Sequence, residues 1–248
     1  MIEVRQVFER LFLGLLTLGC SAGNAPAYAE VSNRHRGDGL AWLGYWMARS
    51  AVHLDPDYLP GRWSLAMSAQ GLSREIEALT ALRHAIDGTY TDHETWILLG
   101  DTVRNLGDFK YAERAYARAV QLEPLNALWR VRVVDAVHQQ QDCPRALELA
   151  RAALAAIPGD PSLMACLARY LFEVGELVEA ESLLLDAIER APDLPDSYAT
   201  LGLLRWETGR LDEAKALLDQ ARLLAPDYEY FKTIRDLMER GGTLERRT

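Results

Sequence analysis

From His93 to Asn126 the chain places Trp96, Leu99, Gly100 and Val103, then Ala112, Tyr116 and Ala119, at helical spacing. The two blocks are separated by Asn105-Leu106-Gly107-Asp108 and stopped by Pro124. The spacing predicts two amphipathic helices joined by a short turn. The small residues constrain it most: Gly100 and Ala112 leave room for two antiparallel helices to cross closely. Trp96, Leu99, Tyr116 and Ala119 fill the seam between this pair and its neighbours. The pattern then recurs at a period of about 34 residues. One step on lie Val133, Val134, Val137, Ala146, Ala150, Ala153 and Pro158. The next step gives Met164, Leu167, Ala168, Leu171, Gly175, Ala180, Leu184, Ala187 and Pro192. A further one gives Tyr198, Leu201, Gly202, Gly209, Ala214, Leu218, Ala221 and Pro226. Consecutive units in one unbroken register require a fold built by stacking.

The pattern resembles the tetratricopeptide repeat, whose signature runs Trp, Leu-Gly, an aromatic or apolar residue, then Ala, aromatic, Ala and a closing Pro. Trp96, Leu99, Gly100, Ala112, Tyr116, Ala119 and Pro124 sit on the signature positions, with Val103 where the family usually has Tyr. The resemblance implies an all-α, right-handed superhelical solenoid of antiparallel helix pairs. About five repeats are expected over 59–228, at 59–92, 93–126, 127–160, 161–194 and 195–228. The first is degenerate: Leu65, Ala66, Ala69, Ala78, Leu82 and Ala85 keep the register, but Gly88-Thr89-Tyr90 replaces the closing Pro. On its N-terminal side, 30–58 reads as a linker and a single capping helix over Leu40 to Leu54, whose Gly44, Ala48, Ala51 and Pro56 match the second half of a repeat. On the C-terminal side, 229–248 reads as a capping helix and tail, the helix beginning at Tyr228 and running to Arg240.

The N-terminus has its own signal. Leu11 to Gly19 is an apolar run too short to span a bilayer, with Arg5 and Arg10 upstream. It reads as a signal-peptide core within 1–29 or as a buried N-terminal helix. Thr17-Leu18-Gly19-Cys20 resembles a bacterial lipobox, which would make Cys20 a lipidated first residue. Ala27-Tyr28-Ala29 is a rival cleavage site that would release a chain starting at Glu30. With lipidation, Ser21 to Gly39 reads as a flexible tether, and the lack of Asp after Cys20 resembles lipoproteins sent to the outer membrane. The expected location is the periplasm, with an outer-membrane lipid anchor at Cys20 as the alternative to a free form.

With 248 residues, 49% hydrophobic and 25% charged, the chain has an ordinary globular composition. Its formal net charge of -9 disfavours a nucleic-acid partner, because such binders carry a basic face. The histidines show no i, i+4 metal pair and no HExxH; a phosphate-cradling Gly-rich loop with Lys, a G-x-S-x-G and a Cys-x-x-Cys are all missing. Hence no catalytic residue, metal site or cofactor is expected. A disulfide between Cys143 and Cys166 is the alternative in an oxidising compartment, but the register places them about two helical turns apart along adjacent helices, so two buried thiols are expected.

Function is then expected on the first helices of the pairs, which the resemblance places along a concave groove. Register puts there Trp63, Met67 and Gln70; Ile97, Asp101 and Arg104; Val131, Asp135 and His138; Ala165, Arg169 and Phe172; and Leu203 and Trp206. Phe172 and Trp206 have a second reading, as packing between repeats. Aromatic residues and Arg dominate binding hot spots. Some relatives clamp a partner's C-terminal carboxylate with Lys and Asn, but the matching sites here hold Ile97, Asp101, Arg132, Ser162 and Cys166. The expected partner is a protein or peptide with apolar anchors and a few charges. The expected function is a non-catalytic envelope scaffold. The alternative is a pilotin-like assembly lipoprotein of a pilus, secretion or exopolysaccharide machine.

Overall fold

The computed structural model describes residues 13, 17, 20, 22–34, 41–87 and 92–226. Among these residues lie twelve α-helices and no strand. They are α1 (Ala25–Arg34), α2 (Ala41–Leu54), α3 (Leu59–Gln70), α4 (Glu75–Asp87), α5 (His93–Asn105) and α6 (Phe109–Leu122). Then come α7 (Ala127–Gln139), α8 (Cys143–Ala156), α9 (Pro161–Glu173), α10 (Leu177–Arg190), α11 (Pro195–Glu207) and α12 (Leu211–Leu224). The chain divides into two compact units, Met1–Glu123 with α1 to α6 and Pro124–Thr248 with α7 to α12. Gly88-Thr89-Tyr90, most of the apolar N-terminal run and the expected C-terminal capping helix lie outside the described residues.

In the first unit α1 packs on α2 and α3, α3 on α4, and α5 on α4 and α6. Small side chains make these crossings close. At one position of the sequence period stand Ser32, Ala66 and Gly100, all buried. A Cβ added to Gly100 would meet Tyr116 Cε1 at 2.3 Å, so only glycine lets α6 lie so near α5. Tyr116 covers Gly100 with its ring and donates its hydroxyl to Asp101 Oδ1 at 2.7 Å. Burying that ring without a hydroxyl partner would cost about 1–3 kcal/mol.

The tether expected over Ser21 to Gly39 is corrected here, because it contains α1. Ala25 and Ala29 are buried with Ala51 of α2, and Tyr28, Leu54 and Tyr58 pack around them. Ser32 Oγ lies 3.1 Å from Ser68 Oγ of α3, and Ser64 donates to Asn33 Oδ1 at 3.0 Å. The helix from Leu40 to Leu54 is therefore not a lone cap but the second member of an α1/α2 pair. Alanine and serine give a weak apolar stripe, yet they are what a close helix crossing needs.

In the second unit the pairs α7/α8, α9/α10 and α11/α12 share one core. Val134, Val137, Leu171, Leu184 and Leu204 are among its fully buried members. Truncating one such leucine to alanine typically costs about 2–5 kcal/mol. Asp142 and Asp160 cap α8 and α10's partner α9 by accepting from the Arg145 and Leu163 amides, as Asp92 and Asp108 cap α5 and α6 in the first unit. The turns inside the five pairs from α3/α4 to α11/α12 each hold one left-handed residue: Ser73, Gly107, Gln141, Gly175 and Gly209 have φ of 53°, 84°, 64°, 87° and 78°. Between pairs, the carbonyls of Pro56, Pro124 and Pro192 accept from Arg62, Arg130 and Tyr198 in the following helix. One core position breaks the apolar rule. Ala69, Val103, Val137 and Leu171 are followed in the sequence period by Arg205, 6% exposed. Its guanidinium faces Glu181 of α10 at 2.5 Å and Glu213 of α12 at 3.4 Å, without hydrogen-bond alignment at Nε or Nη1.

Candidate functional site

The first helices of successive pairs lie side by side within each unit, α3 by α5 in the first, α7 by α9 and α9 by α11 in the second. The candidate residues stand on these helices. In the first unit Trp63 and Met67 are half-buried on α3. On α5, Asp101 is held by the Tyr116 hydroxyl and has Arg104 Nη2 at 3.7 Å. Ile97 is 8% exposed and belongs to the core rather than to an open face.

The second unit gathers more polar groups. Arg169 of α9 donates to Asp135 of α7, and the buried Tyr170 donates to the same Oδ1 at 2.7 Å. The Arg169 guanidinium also lies over the Tyr170 ring, 5.0 Å from its centroid. His138 Nε2 is 2.7 Å from Glu173 Oε2, and the imidazole is tilted against Tyr170 at 5.0 Å between centroids. Two polar pairs therefore link α7 to α9. Burial pushes the Tyr170 pKa well above its ordinary value, against the opposing pull of Arg169, so its hydroxyl stays a donor.

Two more candidates move into the core. Phe172 and Leu203 are 5% and 4% exposed and share the core cluster of this unit, leaving almost no surface for a partner. A first helix is covered on two sides, by its own second helix and by its neighbours, so register alone overstates its open face. Trp206 keeps a half-buried position at the end of α11. Cys166 is buried as a free thiol, and burial pushes its pKa up to about 12. A thiol held that far from ionisation is a poor nucleophile. Cys143 departs from expectation: it is free but only half-buried, at the first residue of α8.

Cys143 also lies near His138 and Glu173, and one ligand atom from each of the three falls within 4.8 Å of the others. Sequence reasoning missed this cluster. Its members come from the end of α7, the start of α8 and the end of α9, so no short motif spacing announces them. In the first unit a cleft of about 680 Å³ is lined by Arg49, Arg62, Arg74, Glu77 and His53 together with Leu13. There Tyr45 donates to Glu77 at 2.6 Å and stacks under Arg74, whose Cζ is 4.5 Å from the ring centroid. Cys20, the lipidation candidate, is half-buried with its Sγ 3.6 Å from the Tyr28 hydroxyl.

Solved structures resemble the chain in fold. A tetratricopeptide repeat protein from Parabacteroides merdae aligns with a TM-score of 0.72 at 14% identity, covering 86% of this chain and 84% of that one. PilW, described as a widely conserved type IV pilus biogenesis factor, aligns at 0.66 and 17%, covering 85% and 97%. The pilF protein of Pseudomonas aeruginosa aligns at 0.64 and 17%, covering 86% and 97%. No curated protein sequence matches the chain. Tetratricopeptide stacks work as protein-interaction scaffolds, offering an extended surface rather than a closed reaction chamber. Family profiles described as tetratricopeptide repeat match residues 97–161 and 171–237, and with them the helix pairs, the small-residue crossings and the left-handed turns say that this chain belongs to the tetratricopeptide repeat family.

Proposed function

We propose that the chain is a non-catalytic scaffold of the bacterial cell envelope that holds a protein or peptide on the first helices of its repeats. The observation that carries this reading is the half-exposed polar groups that each unit carries on its own first helices, α5 in the first unit and α7 and α9 in the second. Asp101, Arg104, Asp135, His138, Arg169 and Glu173 are not consumed by the core. Groups of both signs suit a peptide with a few charges, with the half-buried Trp63 and Met67 as apolar anchors in the first unit and Trp206 in the second. Peptide selection against the full chain tests it. Bound sequences should lose at least about tenfold in affinity, about 1.4 kcal/mol, with Arg169→Ala or Trp206→Ala. Val178→Ala on the second helix α10, 87% exposed, should leave affinity unchanged. Equal loss in all three, or in none, would count against the reading.

A second reading is favoured by the Gly19-Cys20 motif and by the likeness in fold to two proteins whose names concern pili. It makes the chain an assembly lipoprotein of a pilus or related machine, anchored through Cys20. Intact mass from a membrane fraction decides it: a diacyl or triacyl mass starting at Cys20, lost in Cys20→Ala, is the expected result. A chain starting at Glu30 would leave a free periplasmic scaffold.

A further inference from the structure

We propose that His138, Cys143 and Glu173 form a binding site for a divalent transition-metal ion of the zinc class. The inference shares His138 and Glu173 with the proposed peptide-binding face but does not depend on it, and rests on three-dimensional convergence. A nitrogen, a sulfur and a carboxylate ligand from three different helices lie within 4.8 Å of one another, all half-buried. Around a tetrahedral zinc ion, with metal–ligand distances of about 2.0–2.3 Å, such atoms stand about 3–4 Å apart. The widest separation therefore has to close by about 1 Å while His138 Nε2 and Glu173 Oε2, 2.7 Å apart, open by about 0.5–1 Å, both within the reach of side-chain rotation at Cys143 and Glu173.

The donor set selects the metal. A thiolate and an imidazole suit zinc and its neighbours, whereas magnesium and calcium prefer oxygen throughout. Three protein ligands leave a fourth position for water or for a side chain of a bound partner. On binding, the Cys143 S–H bond breaks, a sulfur–metal bond forms and the proton leaves to solvent, while neutral His138 and ionised Glu173 bind without losing a proton.

The surroundings hold the ligands in place. Gln141, at φ 64°, closes the turn with its amide bonded to the His138 carbonyl at 2.8 Å, which folds Cys143 back toward the imidazole. Asp142 caps α8 through the Arg145 amide at 3.3 Å and fixes its first turn. The His138 ring leans on Tyr170, which is itself tied to Asp135. Outer supports of this kind orient metal ligands. The His138–Glu173 hydrogen bond involves two of the three groups; a metal ion would use all three.

Cobalt(II) titration of the reduced full chain, followed by zinc competition, tests the site. We expect one cobalt per chain with a thiolate-to-cobalt charge-transfer band, displaced by equimolar zinc, retained in Cys20→Ser and absent in Cys143→Ser. Zinc affinity should fall at least about 100-fold in His138→Gln and in Glu173→Gln, the upper end of what loss of an outer-sphere partner costs. Far-ultraviolet circular dichroism checks that each variant is folded. Zinc should also protect Cys143 of the unaltered chain from alkylation, a readout that needs no variant. The proposal falls if the unaltered chain shows no thiolate band, if the band survives in Cys143→Ser, if the His138 and Glu173 variants keep zinc affinity within about threefold, or if zinc leaves Cys143 alkylation unchanged.

Discussion

Gly100 and Gly107 belong to the same helix pair and are glycine for different reasons. Gly100 lies under the Tyr116 ring, where a methyl group would overlap it, while Gly107 at φ 84° has no atom within 4 Å of an added Cβ. Gly100→Ala should therefore cost about 1–3 kcal/mol through overpacking. In a Tyr116→Leu background that cost should shrink, whereas Gly107→Ala should cost about 1 kcal/mol in either background. Urea denaturation of the resulting double-mutant cycles checks both. Gln141 occupies the left-handed turn position without glycine's freedom. Gln141→Gly should raise stability by about 0.5–1 kcal/mol, seen as a higher urea midpoint at unchanged slope. The small side chains at Gly100, Ala168 and Gly202 were legible in the sequence because close crossings forbid anything larger. His138, Cys143 and Glu173 were not legible as a group, since only packing of three helices brings them together.

At the scale of the helix, caps separate the elements that announce their own start from those that depend on packing. Asp108 and Asp142 cap α6 and α8, but Glu176, at the matching place before α10 and with similar backbone angles, makes no side-chain cap bond. Its extra methylene carries the carboxylate past the amides that Asp reaches. Glu176→Asp should add about 0.5–1 kcal/mol without changing charge, and Asp108→Ala should remove about 1 kcal/mol, both readable as shifts in thermal midpoint. Helix α1 was hidden in the sequence for a related reason. Ala25, Ala29 and Ser32 carry too little apolar area to make a stripe, and their role shows only when Ala51 and Ser68 arrive opposite them. Phe172 and Leu203 illustrate the reverse: periodicity placed both on first helices, and only Phe172 also carried the reading as packing between repeats that its burial bears out, whereas the covering of Leu203 was not legible.

For the molecule as a whole, the buried hydroxyls and thiol set an alkaline limit. Tyr45 and Tyr170 are held protonated chiefly by burial, and Cys166 is pushed up to about 12. In each case the unfolded chain loses its proton first, so the native state binds more protons as pH rises. This stabilisation is complete below the unfolded values, about 8.5 for a thiol and about 10 for a phenol, and is lost on the way to the raised folded values. Stability should thus fall from about pH 8.5 upward, Cys166 contributing at most about 1.4 kcal/mol per pH unit. Cys166→Ala should flatten the slope between about pH 9 and 10 in chemical denaturation, whatever it does to stability at neutral pH. An unchanged slope would show that Cys166 ionises as easily folded as unfolded.

The buried Arg205 bears on how freely the repeats could be rearranged. Its two counter-charges come from different units of the sequence period, Glu181 before it and Glu213 within its own. Excising 161–194 would remove Glu181 and bring Leu147 to its place in the sequence period, leaving the buried cation with Glu213 alone, whereas excising 195–228 would take the cation away with its second partner. The backbone of this stack is periodic while its chemistry is not, so its modules are not interchangeable, and a shortened or shuffled version must move Arg205 and Glu181 together.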